Sequence, residues 1–157
     1  MTANSHVLSK QDKQILRLLE HNGRISFAEL AIEVGLSKTP CWNRVKALEK
    51  AGFIKSYAAC LDATALGLEI RAFVHVVVNF DESEAFEDAV NDHTHILRCE
   101  AVTGDFDYLL EVAAQNMPRL DKLLRKELSK LPGIARFSTS IATREVKYST
   151  QYMPLID

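Results

Sequence analysis

The sequence predicts an α+β chain: an N-terminal helix-turn-helix domain of winged-helix-like type, then a C-terminal βαββαβ ferredoxin-like domain. Three observations predict this. Two capped helical segments and a glycine turn precede a third, basic segment that ends at Gly52. A valine- and phenylalanine-rich run then opens a stretch in which strand and helix patterns alternate. Charge divides at the same place: residues 1–60 hold nine Lys+Arg against five Asp+Glu, net +4, and residues 61–157 hold ten against sixteen, net −6. A basic first part joined to an acidic second part suggests that only the first meets a polyanion. The expected boundaries are 1–60 for the helix-turn-helix domain, 61–70 for a connector, and 71–157 for the βαββαβ domain.

The first helix begins after Ser9, an N-cap residue with Asp12 three positions on, and Ile15, Leu16, Leu18 and Leu19 recur at helical spacing. Asn22-Gly23 ends it. Ser26 and Glu29 form a second capping-box pattern, Phe27, Leu30, Ala31 and Val34 supply an inner face, and Gly35 stops the helix. The third helix starts either with Ser37 as cap or with Thr39 as cap and Pro40 at the first helical position. "GFIKSYAACL" reads as a strand closing this unit.

In the second half, "RAFVHVVVNF" reads as a strand and "DESEAFEDAVNDH" as a helix with Ala85, Phe86, Ala89 and Val90 inward. "ILRCEAV" and "FDYLLEVAA" form a hairpin around "TGD". "MPRLDKLLRKELSKL" places Leu120, Leu123, Leu124, Leu128 and Leu131 on one helical side, and Pro132-Gly133 breaks it before a last strand, "IARFSTSIATREVKY". Two helices cover one face of such a sheet. The other face is apolar enough to need burial, which a domain of this size achieves by dimerising.

On a helical wheel, Cys41, Trp42, Val45 and Leu48 of the third helix fall on one side, and Thr39, Asn43, Lys46 and Lys50 on the other, flanked by Arg44. Trp42 is expected in the core. The outward set suits double-stranded DNA: Lys and Arg neutralise phosphates, Asn pairs bidentately with adenine, and the hydroxyls of Ser37 and Thr39 with the helix N-terminal amides donate to phosphate. The candidate DNA-binding residues are Ser37, Lys38, Thr39, Asn43, Arg44, Lys46 and Lys50.

"LAIEVGLSKTPCWNRVKALEKAGFI", "VTGDFDYLLEV" and "LPGIARFSTSIATREVK" together resemble the Lrp/AsnC (leucine-responsive/asparagine-responsive, feast/famine) family of transcriptional regulators, from about Leu8 to Leu155. The resemblance implies a DNA-binding regulator whose assembly or DNA affinity responds to an amino acid effector held where C-terminal domains meet. It also implies a homodimer that assembles further, often to an octamer. The family's sensing loop matches "TGDFDY". Gly104 allows close backbone approach to a carboxylate, and Asp105 or Asp107 supplies a partner for an ammonium group. The implied effector-binding residues are Thr103, Gly104, Asp105, Asp107, Tyr108, Met117, Ser140, Ile141 and Ala142. Ser140 and Ala142 are smaller than the residues of some leucine-responding relatives.

No apolar run approaches the roughly 18 residues of a membrane span, and the N-terminus has no apolar signal core, so no membrane partner is expected and the chain reads as cytoplasmic. Cys41, Cys60 and Cys99 show no Cys-x-x-Cys spacing and read as reduced, mostly buried thiols. His93 and His95, two apart after a helix, do not share a helical face, so no metal site and no cofactor are expected. No catalytic fingerprint is present and no catalytic residues are assigned. Two rival readings remain: a metabolic enzyme subunit on a ferredoxin-like fold, and an architectural DNA-binding protein without a ligand.

Overall fold

The computed structural model describes residues 7–156; Met1–His6 and Asp157, which belong to the expected terminal domains, lie outside the described residues. The chain divides into two compact units, Met1–Cys60 with Lys147–Asp157, and Leu61–Val146.

In the first unit, α1 (Lys10–His21), α2 (Phe27–Glu33) and α3 (Lys38–Lys50) surround a core of Ile15, Leu30, Ala31, Val34, Cys41, Val45 and Leu48. Complete capping boxes start α1 (Ser9 with Asp12) and α2 (Ser26 with Glu29), so each of those N-termini satisfies two orphan donors reciprocally. Gly35 turns the chain between α2 and α3 at φ 65°, a left-handed conformation that costs a glycine little. Ser37, not Thr39, is the N-cap of α3, which leaves Pro40 inside the first turn, where its missing N–H is still no loss.

The strand expected at "GFIKSYAACL" does not form: residues 53–61 join no ladder. A strand needs a partner edge, and the three helices of this unit offer none. The unit instead gains the chain's C-terminal segment. A 3-10 turn (Met153–Leu155) buries Met153, and the Glu20 carboxylate of α1 accepts the Tyr152 and Met153 backbone N–H groups. Lys13 Nζ donates to the Ile156 carbonyl at 3.3 Å.

The second unit is a four-stranded antiparallel sheet, β1 (Ile70–Val78), β2 (Ile96–Ala101), β3 (Tyr108–Ala114) and β4 (Ile134–Ile141), in the order β2-β3-β1-β4. With α4 (Ser83–Asn91) after β1 and α5 (Met117–Lys126) after β3, this is the βαββαβ ferredoxin-like arrangement. Strict alternation along β1 and β3 sends Ala72, Val74, Val76, Tyr108, Leu110 and Val112 under Phe86, Val90, Leu120 and Leu123 of the two helices. The opposite face carries half-buried Phe73, Val77 and Leu109, and neither α4 nor α5 covers it. β4 ends at Ile141, short of the expected Tyr148. The Ala142 N–H makes a last bond to the Arg71 carbonyl, and beyond Ile70 strand β1 offers no further partner. α5 ends at Lys126, and Leu128–Lys130 tightens into a 3-10 turn.

Of the cysteines, Cys41 is buried, Cys99 half-buried and Cys60 exposed, so only one is a core thiol.

Candidate functional site

Helix α3 is two-sided. Cys41, Val45 and Leu48 have no exposed surface, while Ser37, Lys38, Thr39, Asn43, Lys46 and Lys50 are exposed. Ser37 caps with its backbone only; its hydroxyl makes no capping bond. Trp42 is 46 % exposed, against the expectation that it lies in the core. The buried stripe is the narrow i, i+4, i+7 row of Cys41, Val45 and Leu48, and Trp42, about 100° round from Cys41, falls at its rim.

Arg44 is half-buried and turned inward. Its Nη1 lies 3.0 Å from Asp12 Oδ1 and 3.3 Å from Ser9 Oγ, tying α3 to the N-cap of α1. Burial alone would push the Asp12 carboxyl up, but the Ser9 hydroxyl and amide and the Arg44 guanidinium outweigh it and hold it below the ordinary value. Lys46 Nζ sits 2.6 Å from Glu49 Oε2, and Glu49 also accepts from the Tyr57 hydroxyl at 3.1 Å. These bonds hold Glu49 low, chiefly through Lys46, and burial with the Glu49 contact pushes Tyr57 up to about 12. An exposed pair such as Lys46–Glu49 contributes about 1 kcal/mol or less, so Glu49 releases the Lys46 ammonium at small cost.

In the second unit, Thr103–Phe106 links β2 to β3, with Gly104 at φ 122° and Thr103, Gly104 and Asp105 exposed. Asp107 anchors the loop to β1. Its Oδ2 accepts from the Val78 N–H at 2.9 Å, its own N–H donates to the Val76 carbonyl at 2.9 Å, and its carbonyl accepts from Val102 at 2.8 Å. Tyr108 is buried under α4. Its ring lies 4.8 Å from Phe86 and its hydroxyl donates to Glu87 Oε1 at 2.6 Å, which pushes it up to about 12. Its side chain is therefore committed to the core beneath the helices rather than to the loop surface.

The β-ladder separates the expected effector residues. Tyr108 pairs with Val76, whereas Ser140 pairs with Phe73, about 10 Å further along β1. Met117, half-exposed at the start of α5, follows Ala114, which pairs with Ile70, about 20 Å from the loop end. Ser140 and Ile141 are exposed and Ala142 half-buried, beside that far end. One chain brings Thr103–Asp107 together, and Ser140–Ala142 together, but not the two groups.

Two features escaped sequence reasoning. Arg136 lies over the Phe106 ring at 5.0 Å and donates to the Asp105 carbonyl at 3.1 Å, while His75 sits 5.1 Å from the same ring. This cluster braces the loop from β4 and β1. Only the strand register, which pairs Arg136 with Val77, puts it there. His93 and His95 lie in the turn after α4, so the helical-spacing argument against a shared ligand site does not apply. They converge on Glu127.

The comparisons agree with this geometry. Residues 8–55 match the family model for a winged helix-turn-helix DNA-binding domain, and residues 71–152 match that for the Lrp/AsnC ligand binding domain. The leucine-responsive regulatory proteins of Klebsiella pneumoniae and Escherichia coli (strain K12) are each 41 % identical over 147 residues, covering 92 % of this chain and 90 % of theirs. The crystal structure of a transcriptional regulator from Neisseria meningitidis in complex with L-Met superposes with a TM-score of 0.88 at 34 % identity, covering 92 % of this chain and 95 % of that one. A two-sided basic helix on a tight glycine turn, joined to a ferredoxin-like ligand-binding domain, places the chain among regulators rather than enzymes: it belongs to the Lrp/AsnC family of DNA-binding transcriptional regulators.

Proposed function

We propose that α3 reads DNA in the major groove and that a free amino acid, bound where C-terminal domains of different subunits meet, controls how the DNA-binding heads are arranged. The observation that carries the first half is the sidedness of α3. Its apolar row is sealed against α1 and α2, and Thr39, Asn43, Lys46 and Lys50 face outward. Asn43 and Lys46 would contact base edges. Ser37, Lys38, Thr39 and Lys50 would contact phosphate. Arg44 acts differently, by fixing the angle between α3 and α1.

The second half rests on the division of the effector residues between two ends of one sheet. A ligand touching both groups needs a second chain. The helix-free sheet face, with Phe73, Val77 and Leu109, supplies a surface for a homodimer, and further contacts build a higher assembly, with an octamer of four dimers as the proposed form. Thr103–Asp107 would receive the amino acid's charged end, the loop amides around Gly104 facing its carboxylate and Asp105 or the free oxygen of Asp107 its ammonium. Met117 and Ser140–Ala142 would border the side chain from the neighbouring subunit. The leucine-responsive name of two relatives and the L-Met bound to a third support a free amino acid as effector. The effector must bind one assembly better than another to shift anything. No helix among the described residues is long and apolar enough to cross a membrane, which accords with a cytoplasmic regulator.

The test is a gel-shift panel on the DNA upstream of the chain's own gene, with and without each amino acid. Retarded bands whose pattern changes with one or a few amino acids support the reading. Retardation that no amino acid alters, with no heat on calorimetric titration at millimolar concentration, replaces it with a ligand-independent architectural protein.

A further inference from the structure

His93 and His95 occupy the turn that leads from α4 into β2, and Glu127 caps the C-terminal end of α5. The two segments are distant in sequence, yet the ligand-type atoms of these three side chains all lie within 4.8 Å of one another. Glu127 Oε2 is 3.5 Å from His93 Nε2 and 3.3 Å from His95 Nδ1.

The geometry points to a divalent transition-metal site, zinc foremost, made by His93, His95 and Glu127. A tetrahedral ion holding nitrogen and oxygen at about 2.0–2.1 Å sets neighbouring ligand atoms about 3.3–3.4 Å apart. The two edges to Glu127, 3.5 and 3.3 Å, lie close to that spacing. The third edge closes by rotation of the two imidazoles, whose centroids are 5.8 Å apart. Two imidazoles and one carboxylate suit zinc, cobalt or nickel better than magnesium or calcium, which take oxygen.

The position favours a cation in a second way. Glu127 follows the last turn of α5, where unsatisfied carbonyls give the negative end of the helix dipole. His93 is 16 % exposed, Glu127 36 % and His95 58 %, so an ion can enter and keep a fourth position open. Glu127 and His95 also line a pocket of about 340 Å³ with Gln115, Arg119 and Lys122. The two cationic side chains there oppose a bare cation and favour an anion or water as its fourth ligand. His93 Nδ1 accepts from the His95 N–H at 3.3 Å. Coordination through Nε2 takes the tautomer with hydrogen on Nδ1, so this long, exposed bond opens to water.

The site lies at the start of β2, the opposite end of that strand from the Thr103–Asp107 loop. It makes the junction of α4, β2 and α5 a place where metal supply acts on the ligand-binding domain.

The full chain, stripped of metal with a chelator, is titrated with zinc chloride by calorimetry and with cobalt(II) by visible spectroscopy. Saturation at one ion per chain is expected, with tetrahedral cobalt bands and no thiolate charge-transfer band. Glu127→Gln and His95→Gln should each weaken binding about tenfold or more, and His21→Gln, on the exposed last turn of α1, should not. Absence of saturable binding overturns the site. So does affinity unchanged in both Glu127→Gln and His95→Gln, or a thiolate band, which would move the ion to a cysteine.

Discussion

Arg44 Nη1 sits 3.0 Å from Asp12 Oδ1, so the proposed DNA-reading helix is fastened to the first turn of α1 by an ion pair whose acidic partner is almost fully buried. Asp12 also closes the Ser9 capping box, accepting from the Ser9 N–H at 2.9 Å and the Ser9 hydroxyl at 2.6 Å. Asp12→Ala should therefore cost about 1–3 kcal/mol, from a lost cap and an Arg44 left without its partner. The Asp12 carboxyl is held below its ordinary value of 3.8 in the folded state. Its contribution is fully present above that value and is lost as pH falls through the lower folded one. Urea denaturation of the wild type and Asp12→Ala should differ at pH 7 and converge as pH drops below that value. A gap unchanged down to pH 2 would detach the effect from this carboxylate.

Asn43→Ala and Lys46→Ala should weaken operator binding without unfolding the chain, because both side chains are exposed and leave Cys41, Val45 and Leu48 undisturbed. Lys50→Ala should lower affinity on every DNA alike and reduce the salt slope by about one unit. Gel shifts at several salt concentrations measure both. Equal losses on operator and random DNA for Asn43→Ala would assign it to phosphate rather than to a base.

Trp42 is the chain's only tryptophan and lies at the rim of α3. Its emission should be that of a part-hydrated indole in the free protein. Saturating DNA should shift or quench it, with a midpoint equal to that of the gel shift. A spectrum indifferent to bound DNA would place the duplex away from this rim.

Asp107 anchors the loop and is a proposed ammonium contact, two roles that a substitution can separate. Asp107→Asn keeps an oxygen for the Val78 N–H and removes the charge. It should abolish the amino acid response at little cost in stability, whereas Asp107→Ala should also loosen the loop and lose about 1–2 kcal/mol. Thermal melts beside effector-dependent gel shifts distinguish the two. A full response in Asp107→Asn would hand the ammonium contact to Asp105.

Gly133 sits at φ 69°, and a Cβ there would lie 2.6 Å from Glu82 Cβ and 2.9 Å from Val78 Cγ1. The turn also accepts the Asn79 N–H on the Gly133 carbonyl at 2.8 Å. Gly133→Ala should destabilise the C-terminal unit by about 2–3 kcal/mol through backbone strain and overpacking. A melting temperature within a degree of wild type would mean that β1 and the turn before β4 have room to separate.

Sequence alone determined the elements whose signals are local. Capping boxes at Ser9 and Ser26, the Gly35 turn, the valine-rich run of β1, and the leucine row of α5 are satisfied within a few residues, so they are legible without knowing the neighbours. The polar row of α3 was legible for the same reason. Tertiary structure decided everything that depends on a distant partner. It exposed Trp42, because the packing stripe proved narrow, and turned Arg44 inward to Asp12. It denied residues 53–61 a ladder and stopped β4 where β1 stops. It sank Tyr108 under α4, braced the loop with Arg136, and brought Glu127 to two histidines more than thirty residues away. A side chain's period says which way it points. What it meets there depends on contacts between remote segments, and a linear pattern does not encode them.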